Sequence, residues 1–406
     1  MQELINLHYS YYRKMKDISI HRNRILILIL IFVFRQESNA QPYIFSHYSV
    51  NNGLSQSVIK CIFQDSKGFI WFGTQQGLNK FNGYSFDNYL NNPSDTNSIS
   101  DNWIYSIAED HDGNIWIGTR NGLNKYDPKT GYFKQYLFNA YETNSISGNY
   151  IYGLAVDANG NLLVNTALAF NIFNPKTGEV KKYAYPTLNS SEISDEGRPI
   201  VQTRDNNTWI ATDNGLLFFD PKKRDYSGFA ALKKINSLID NNITALMEDN
   251  RGNLWVGSQS GLNRIDLNNQ AISTYNLGQK QNDGANSNYI RSIREDNNGN
   301  MWVATNGSGL FKLALDHDLK ITGQTNFTST DQVNSNLSHN IVLSLVIDQS
   351  NLLWIGTLNG IDKIDLKQSK FNLYRKSNDI NSVDLKDNVI ASIYKDKDNN
   401  LSLIHI

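Results

Sequence analysis

The side chains in this 406-residue sequence best suited to hold a small polar ligand are aromatic rings and arginines set two residues apart. Trp103 and Tyr105, Tyr150 and Tyr152, and Tyr289 and Arg291 stand seven and five residues before Asp110, Asp157 and Asp296; Arg198 stands five before Thr203. Rings can stack on pyranose faces, and a forked guanidinium binds hydroxyls or carboxylates. This is the inventory of a sugar site. The same residue types also fill an interior channel with no ligand at all, and the residues alone leave both readings open.

No catalytic constellation accompanies them. The chain has no Gly-x-Ser-x-Gly, His-Glu-x-x-His or phosphate-loop pattern, and no cofactor is expected. The carboxylates that glycoside hydrolysis needs in pairs are mostly Asp residues of a recurring turn, where capping of their own backbone explains them. The Asp-rich run at 110–114 resembles the start of a calcium loop but lacks the distal Glu, so no metal is expected there. A single cysteine, Cys61, excludes an intrachain disulfide and a multi-cysteine metal site. Equivalent positions hold Ser106, Gly153, Ala245, Ser292 and Ser344, so Cys61 reads as a small core residue. A formal net charge of −1 would not gather a polyanion, which argues against direct nucleic-acid binding.

The elements that must position these residues are repeated. An Asp-x-x-Gly-x-x-Trp-x-Gly-Thr pattern places its Trp position at 71, 116, 163, 209, 255, 302 and 354, in steps of 45, 47, 46, 46, 47 and 52. Leu163 replaces the Trp in one copy and Thr203 the Asp in another. Each copy reads as four short strands: an apolar inner strand, the Asp-x-x-Gly turn, the Trp-bearing strand, a third strand opened by Gly-Leu, and an outer strand ending in an aromatic. Four strands per 40–50 residues is the period of a propeller blade. The fold class expected is all-β, a seven-bladed β-propeller of four-stranded antiparallel blades over 41–374. The Trp should fill the wedge between blades, and the small residue two positions later should let the next blade approach. Phe45, Ser46, His47 and Tyr48 match the outer-strand pattern yet precede the first inner strand, so they should complete the seventh blade. The chemically similar 371–374 would compete for that place or lead onward.

Positions recurring in every copy serve the scaffold, whereas positions that vary are open to function. The places seven and five before the turn Asp vary most. Besides the seven residues above they hold Val58, Lys60, Glu196, Asn242, Thr244, Ile341 and Leu343.

The first 40 residues read as a secretory signal: Arg22 and Arg24, an apolar run at 25–34, then small residues at Ser38 and Ala40. Ten apolar residues are too few for a stable span, which needs about 20. The chain is therefore expected to be exported. Residues 375–406 read as the truncated first repeat of a second propeller, reaching Asp396 and stopping where Trp-x-Gly-Thr is due. The last six residues, 401–406, do not fit the repeat and match the translation of a transposon-end sequencing adapter, so the native gene is expected to continue.

Gly53-Leu54-Ser55, the Asp-x-x-Gly-x-x-Trp-x-Gly-Thr cores and the Gly-Leu-Asn-Lys/Arg segments at 77–80, 122–125 and 261–264 resemble the two-component regulator propeller repeats. These occur in the periplasmic part of hybrid two-component sensor histidine kinases, chiefly of Bacteroidetes. The resemblance covers 43–400. It implies a periplasmic sensor for an oligosaccharide ligand, controlling polysaccharide-use genes, in a longer, inner-membrane-anchored homodimer. There a second propeller and an immunoglobulin-like domain precede a membrane helix, the kinase and its phosphorelay. Kinase activity would belong to that longer protein and not to this chain. Two readings from other classes stand beside it: a secreted lyase-like propeller enzyme, and a non-catalytic interaction scaffold.

Overall fold

The computed structural model describes residues 43–186, 197–226, 238–277, 288–329, 337–367, 390–395, 397 and 401–405. The signal expected at 1–40, the strand expected at 371–374, and Glu196 lie outside them. The chain divides into two units, Tyr43–Gln368 and the terminal segments Met1–Pro42 with Ser369–Ile406.

The larger unit contains seven antiparallel sheets, each with its strands in simple inner-to-outer order. It is a seven-bladed propeller. Blade 2 is representative, with strands Ile104–Glu109, Ile115–Thr119, Gly122–Tyr126 and Phe133–Tyr136. Blade 4 shows three strands among the described residues, Ile200–Gln202, Thr208–Thr212 and Gly215–Phe219. The expected closure is present: Ser46–Tyr48 pairs with Gly360–Asp365 as the outer strand of blade 7.

The Asp-x-x-Gly turn does more than cap itself. In blade 5 Asp249 Oδ1 accepts the backbone N–H groups of Arg251 and Asn253 at 2.9 and 2.8 Å, while Oδ2 accepts the Trp255 indole N–H at 2.8 Å. The same indole bond joins Trp71 to Asp65, Trp116 to Asp110, Trp302 to Asp296 and Trp354 to Asp348, at 2.8–3.0 Å. Where Leu163 replaces the Trp, the indole bond is lost and Asp157 Oδ2 keeps the Asn161 side-chain amide at 2.9 Å, a bond that blades 2, 5 and 6 make beside the indole's. The turn Gly is replaced by Asn206 and Asn351 in two blades, both left-handed with φ of 64° and 65°, as that backbone requires.

Each Trp packs against the blade that follows. Trp71 meets Ile104, Ile115 and Tyr126 of blade 2; Trp354 meets Ile59, Phe72 and Phe81 of blade 1, closing the ring. Burying such a ring removes about 150–250 Å² from water, on the order of 4–6 kcal/mol as an upper bound. Where the residue two positions on is Gly, it lets the next blade approach: a Cβ on Gly73 would lie 2.6 Å from Ile104, and one on Gly356 would lie 2.7 Å from Ile59. A polar clip joins blades at the turn end of the inner strands. Glu109, Glu248 and Glu295 accept the backbone N–H of Ser66, Arg204 and Asn250 in the preceding blade, and Gln64 does the same for Gln349 at the ring seam.

In the smaller unit, Ile390–Lys395 pairs with Leu401–His405. Ser402 stands opposite Tyr394, as Trp354 stands opposite Val346 in blade 7. The segment expected to fall outside the repeat thus takes the backbone register of a blade's second strand. The ladder is made by backbone groups and does not need the missing Trp.

Candidate functional site at the axial ends of the inner strands

The positions five before the turn Asp vary for a structural reason. In blade 2 Ile104 pairs with Thr119 and Ser106 with Gly118, which leaves Tyr105 as an extra residue in a β-bulge. The same register shift sets out Lys60, Tyr152, Thr244, Arg291 and Leu343. A bulged residue is released from the ladder and its side chain can be re-aimed, a device common beside binding sites. Arg198 holds the equivalent place before the shorter inner strand of blade 4.

Five of the seven expected residues form one cluster across blades 2–4. The Trp103 and Tyr105 rings lie 6.3 Å apart, Tyr105 meets Tyr152 edge-on at 5.4 Å, and Tyr150 lies 6.3 Å from Tyr152. The Arg198 guanidinium sits 4.9 Å from the Tyr152 ring and pairs with Asp213 at 3.0 Å. Tyr105, Tyr152 and Arg198 are buried, whereas Trp103 and Tyr150 are half-buried. The first three therefore form a floor and the other two a rim. Tyr289 and Arg291 form their own pair in blade 6, with a 2.8 Å hydrogen bond from the guanidinium to the Tyr289 hydroxyl.

A polar seam between blades 3 and 4 sets Arg198 in place. Asn165 stands where the Trp-x-Gly-Thr pattern has Gly, and its side-chain amide donates to the Arg198 carbonyl at 3.0 Å. Its oxygen accepts the Tyr185 hydroxyl at 2.5 Å, and burial pushes that phenol well above its ordinary range. Opposite, Gly153 leaves room: a Cβ there would lie 2.3 Å from the Arg198 carbonyl oxygen.

Three members of the cluster were not among the seven. The Lys60 ammonium lies 5.3 Å from the centre of the Trp103 ring. The exposed Arg120 guanidinium lies 5.5 Å from Trp103 and 5.9 Å from Tyr150. Arg120 and Asp213 occupy the place directly after the Thr of Trp-x-Gly-Thr, where other blades carry Gln75, Ala167, Gln259, Asn306 and Leu358. Variation between blades, applied to that place as well, would have found both. A surface hollow of about 500 Å³ lies at the opposite edge of blade 2, along its outer strand, and shares no residue with this cluster.

Four stretches, 53–76, 98–121, 237–260 and 284–307, match the family model of the two component regulator propeller, each spanning a blade's inner hairpin. Four of the seven blades of this β-propeller thus match two-component regulator propeller repeats. The extracellular domain of a hybrid two component system from B. thetaiotaomicron has a similar fold, with TM-score 0.68 and 24% identity over 89% of this chain and 47% of that one. Virginiamycin B lyase from Staphylococcus aureus is similar with TM-score 0.59 at 14% identity, over 80% of this chain and 100% of that one. In sequence, Histidine kinase P4 of Formosa agariphila is 38% identical over 82 residues, 20% of this chain and 6% of the kinase. This chain thus spans about half of that extracellular domain and a small part of the kinase. Among the described residues no helix is long and apolar enough to cross a membrane.

Proposed function

We propose that this chain is the exported, non-catalytic sensing propeller of a hybrid two-component histidine kinase, and that it detects an oligosaccharide. The observation that carries the reading is the axial cluster, in which Trp103, Tyr105, Tyr150, Tyr152 and Arg198 of three adjacent blades converge with Arg120. Rings at a half-buried rim above a buried cationic floor suit a ligand with alternating apolar faces and hydroxyl edges. The repeat family and the kinase relative supply the context. On this reading the longer protein is held in the inner membrane as a homodimer. A second propeller and an immunoglobulin-like domain carry ligand occupancy to the kinase and its phosphorelay, which controls polysaccharide-use genes.

The test is a thermal-shift screen of the chain against defined oligosaccharides, followed by mass spectrometry of the ligand. A binder at about 100 times its Kd should add roughly 2.7 kcal/mol, a rise of a few degrees for a domain of this size. Tyr150→Ala should abolish that rise, and the ligand should be recovered unchanged. Recovery of a cleaved or rearranged ligand would instead establish a propeller enzyme.

A further inference from the structure

One patch beside the axial cluster breaks the pattern of its own repeat. Asn149, directly before Tyr150, is a hub: its carbonyl accepts the Gly122 N–H at 2.7 Å, and its side-chain oxygen accepts the Phe138 N–H at 2.7 Å. Asn102 and Asn340 are the same hub in other blades, the first holding Gly77 and Asn91, the second Gly309 and Ser329. Where those hubs carry Asn91 and Ser329, this one carries Phe138, which is 41% exposed. Leu277, held in the same way by Asn288, is apolar too but buried. The neighbouring turn departs in the same direction. Leu168 stands two after Thr166, where the other blades hold Gln76, Asn121, Asn214, Ser260, Gly307 and Asn359. It is 54% exposed and lies over Gly148, where an added Cβ would be 3.7 Å from its Cδ1. Leu137, 43% exposed, covers Gly122.

A lone exposed leucine needs no explanation, because much of any protein surface is apolar. Two exposed apolar side chains at places that the repeat fills with polar ones are different. The scaffold does not require them, as the blades with Asn and Ser show. They are favourable only when something apolar covers them. They are also continuous with the axial cluster, since Gly148, Asn149 and Tyr150 are consecutive and Tyr150 belongs to its half-buried rim. An occupant of that rim therefore meets a ring face at Tyr150 and purely apolar side chains beside it. A bare sugar has no surface for the second part, because its hydroxyl edges would lose water there and gain no partner.

Resting on the oligosaccharide reading above, we infer that the ligand is a saccharide bearing an apolar ester group, acyl or aryl. The sugar stacks at Tyr150, and the hydrocarbon part of the ester lies on Phe138, Leu137 and Leu168. Phe138 and Leu168 set the selectivity, because they are the two departures from the repeat. Leu137 has a leucine counterpart in Leu90 of blade 1 and so serves the scaffold as well.

The experiment is calorimetric titration of the full 406-residue chain with matched pairs of tetrasaccharides. Acetylated xylotetraose is compared with its deacetylated form, and a feruloylated arabinoxylan tetrasaccharide with the same sugar after removal of the ferulate. The esterified member of one pair should bind at least about tenfold more tightly than its bare partner, and which pair responds tells acyl from aryl. Leu168→Asn and Phe138→Asn each install the residue that another blade carries at that place. Each should cut the preference to about threefold or less, while unchanged circular dichroism reports an intact fold. Equal affinity within both pairs overturns the apolar assignment and leaves the saccharide site standing. An ester preference that survives Tyr150→Ala intact overturns the saccharide site and leaves the apolar contact standing. A preference that both Asn variants retain overturns the assignment, and loss of self-association in those variants would mark the patch as a contact between copies instead. Binding of neither member of either pair to folded protein overturns both.

Discussion

At the scale of the residue, one carboxylate organises each complete repeat. Asp249 accepts two backbone N–H groups, the Asn253 amide and the Trp255 indole. Removing it leaves several buried donors unmatched, each costing about 1–3 kcal/mol. Asp249→Ala should therefore destabilise the propeller by about 3–5 kcal/mol in urea unfolding, with Asp249→Asn intermediate, since an amide oxygen still accepts. The equivalent Asp110 shows the strength of the arrangement. Burial would raise its pKa, yet hydrogen bonds from Trp116, Asn114 and Asp112 hold the carboxyl below its ordinary value. The Asp-x-x-Gly turn and the wedge-filling Trp were legible as motifs. The indole bond between them was not, because it exists only once the hairpin brings residues six apart in sequence to one buried point.

At the scale of the element, the strand Ser46–Tyr48 has a chemistry that the other described outer strands lack. Where blades 1 and 2 set Asn79 and Asn124 opposite Asn88 and Gln135, blade 7 sets Asp362 opposite His47. The His47 ring nitrogen meets the Asp362 carboxylate at 2.6 Å, and that hydrogen bond raises the His47 pKa. A raised folded-state pKa contributes stability that is full below the unfolded value near 6.5 and is lost as pH rises through the folded value. The chain should therefore gain stability at pH 5.5–6 relative to a His47→Gln variant, and the gap should narrow as pH rises above 6.5. Because His47 is 48% exposed, solvent screening limits the effect to roughly 1 kcal/mol or less. Thermal unfolding of the two proteins across that range reads it directly. The aromatic spacing of Phe45 and Tyr48 announced this strand in the sequence. The bulges escaped notice, since a single extra residue leaves the hydrophobic pattern intact and shows only in the pairing register.

At the scale of the whole molecule, stability depends on closing the circle. Tyr48 packs on Trp354, Phe81 and Phe86, so the closing strand touches the last blade and the first. A chain lacking residues 1–49 would leave Gly360–Asp365 as an open sheet edge and uncover that aromatic cluster. Its melting temperature should fall by roughly 5 °C or more, and it should self-associate on concentration, as light scattering would detect. The seven-fold period, the blade order and the closing strand were legible because each copy checks the others. The grouping of axial side chains into a blade 2–4 cluster and a separate blade 6 pair was not, because a period fixes where a residue sits in its blade and not which neighbours its side chain reaches. The bulge has a last consequence, for evolution. Lys60, Tyr105, Tyr152, Thr244, Arg291 and Leu343 stand outside the ladder that builds their blades. Exchanging them changes what the ring presents at its axis while leaving the backbone ladder of each blade in place, so selection can retarget such a molecule one blade at a time.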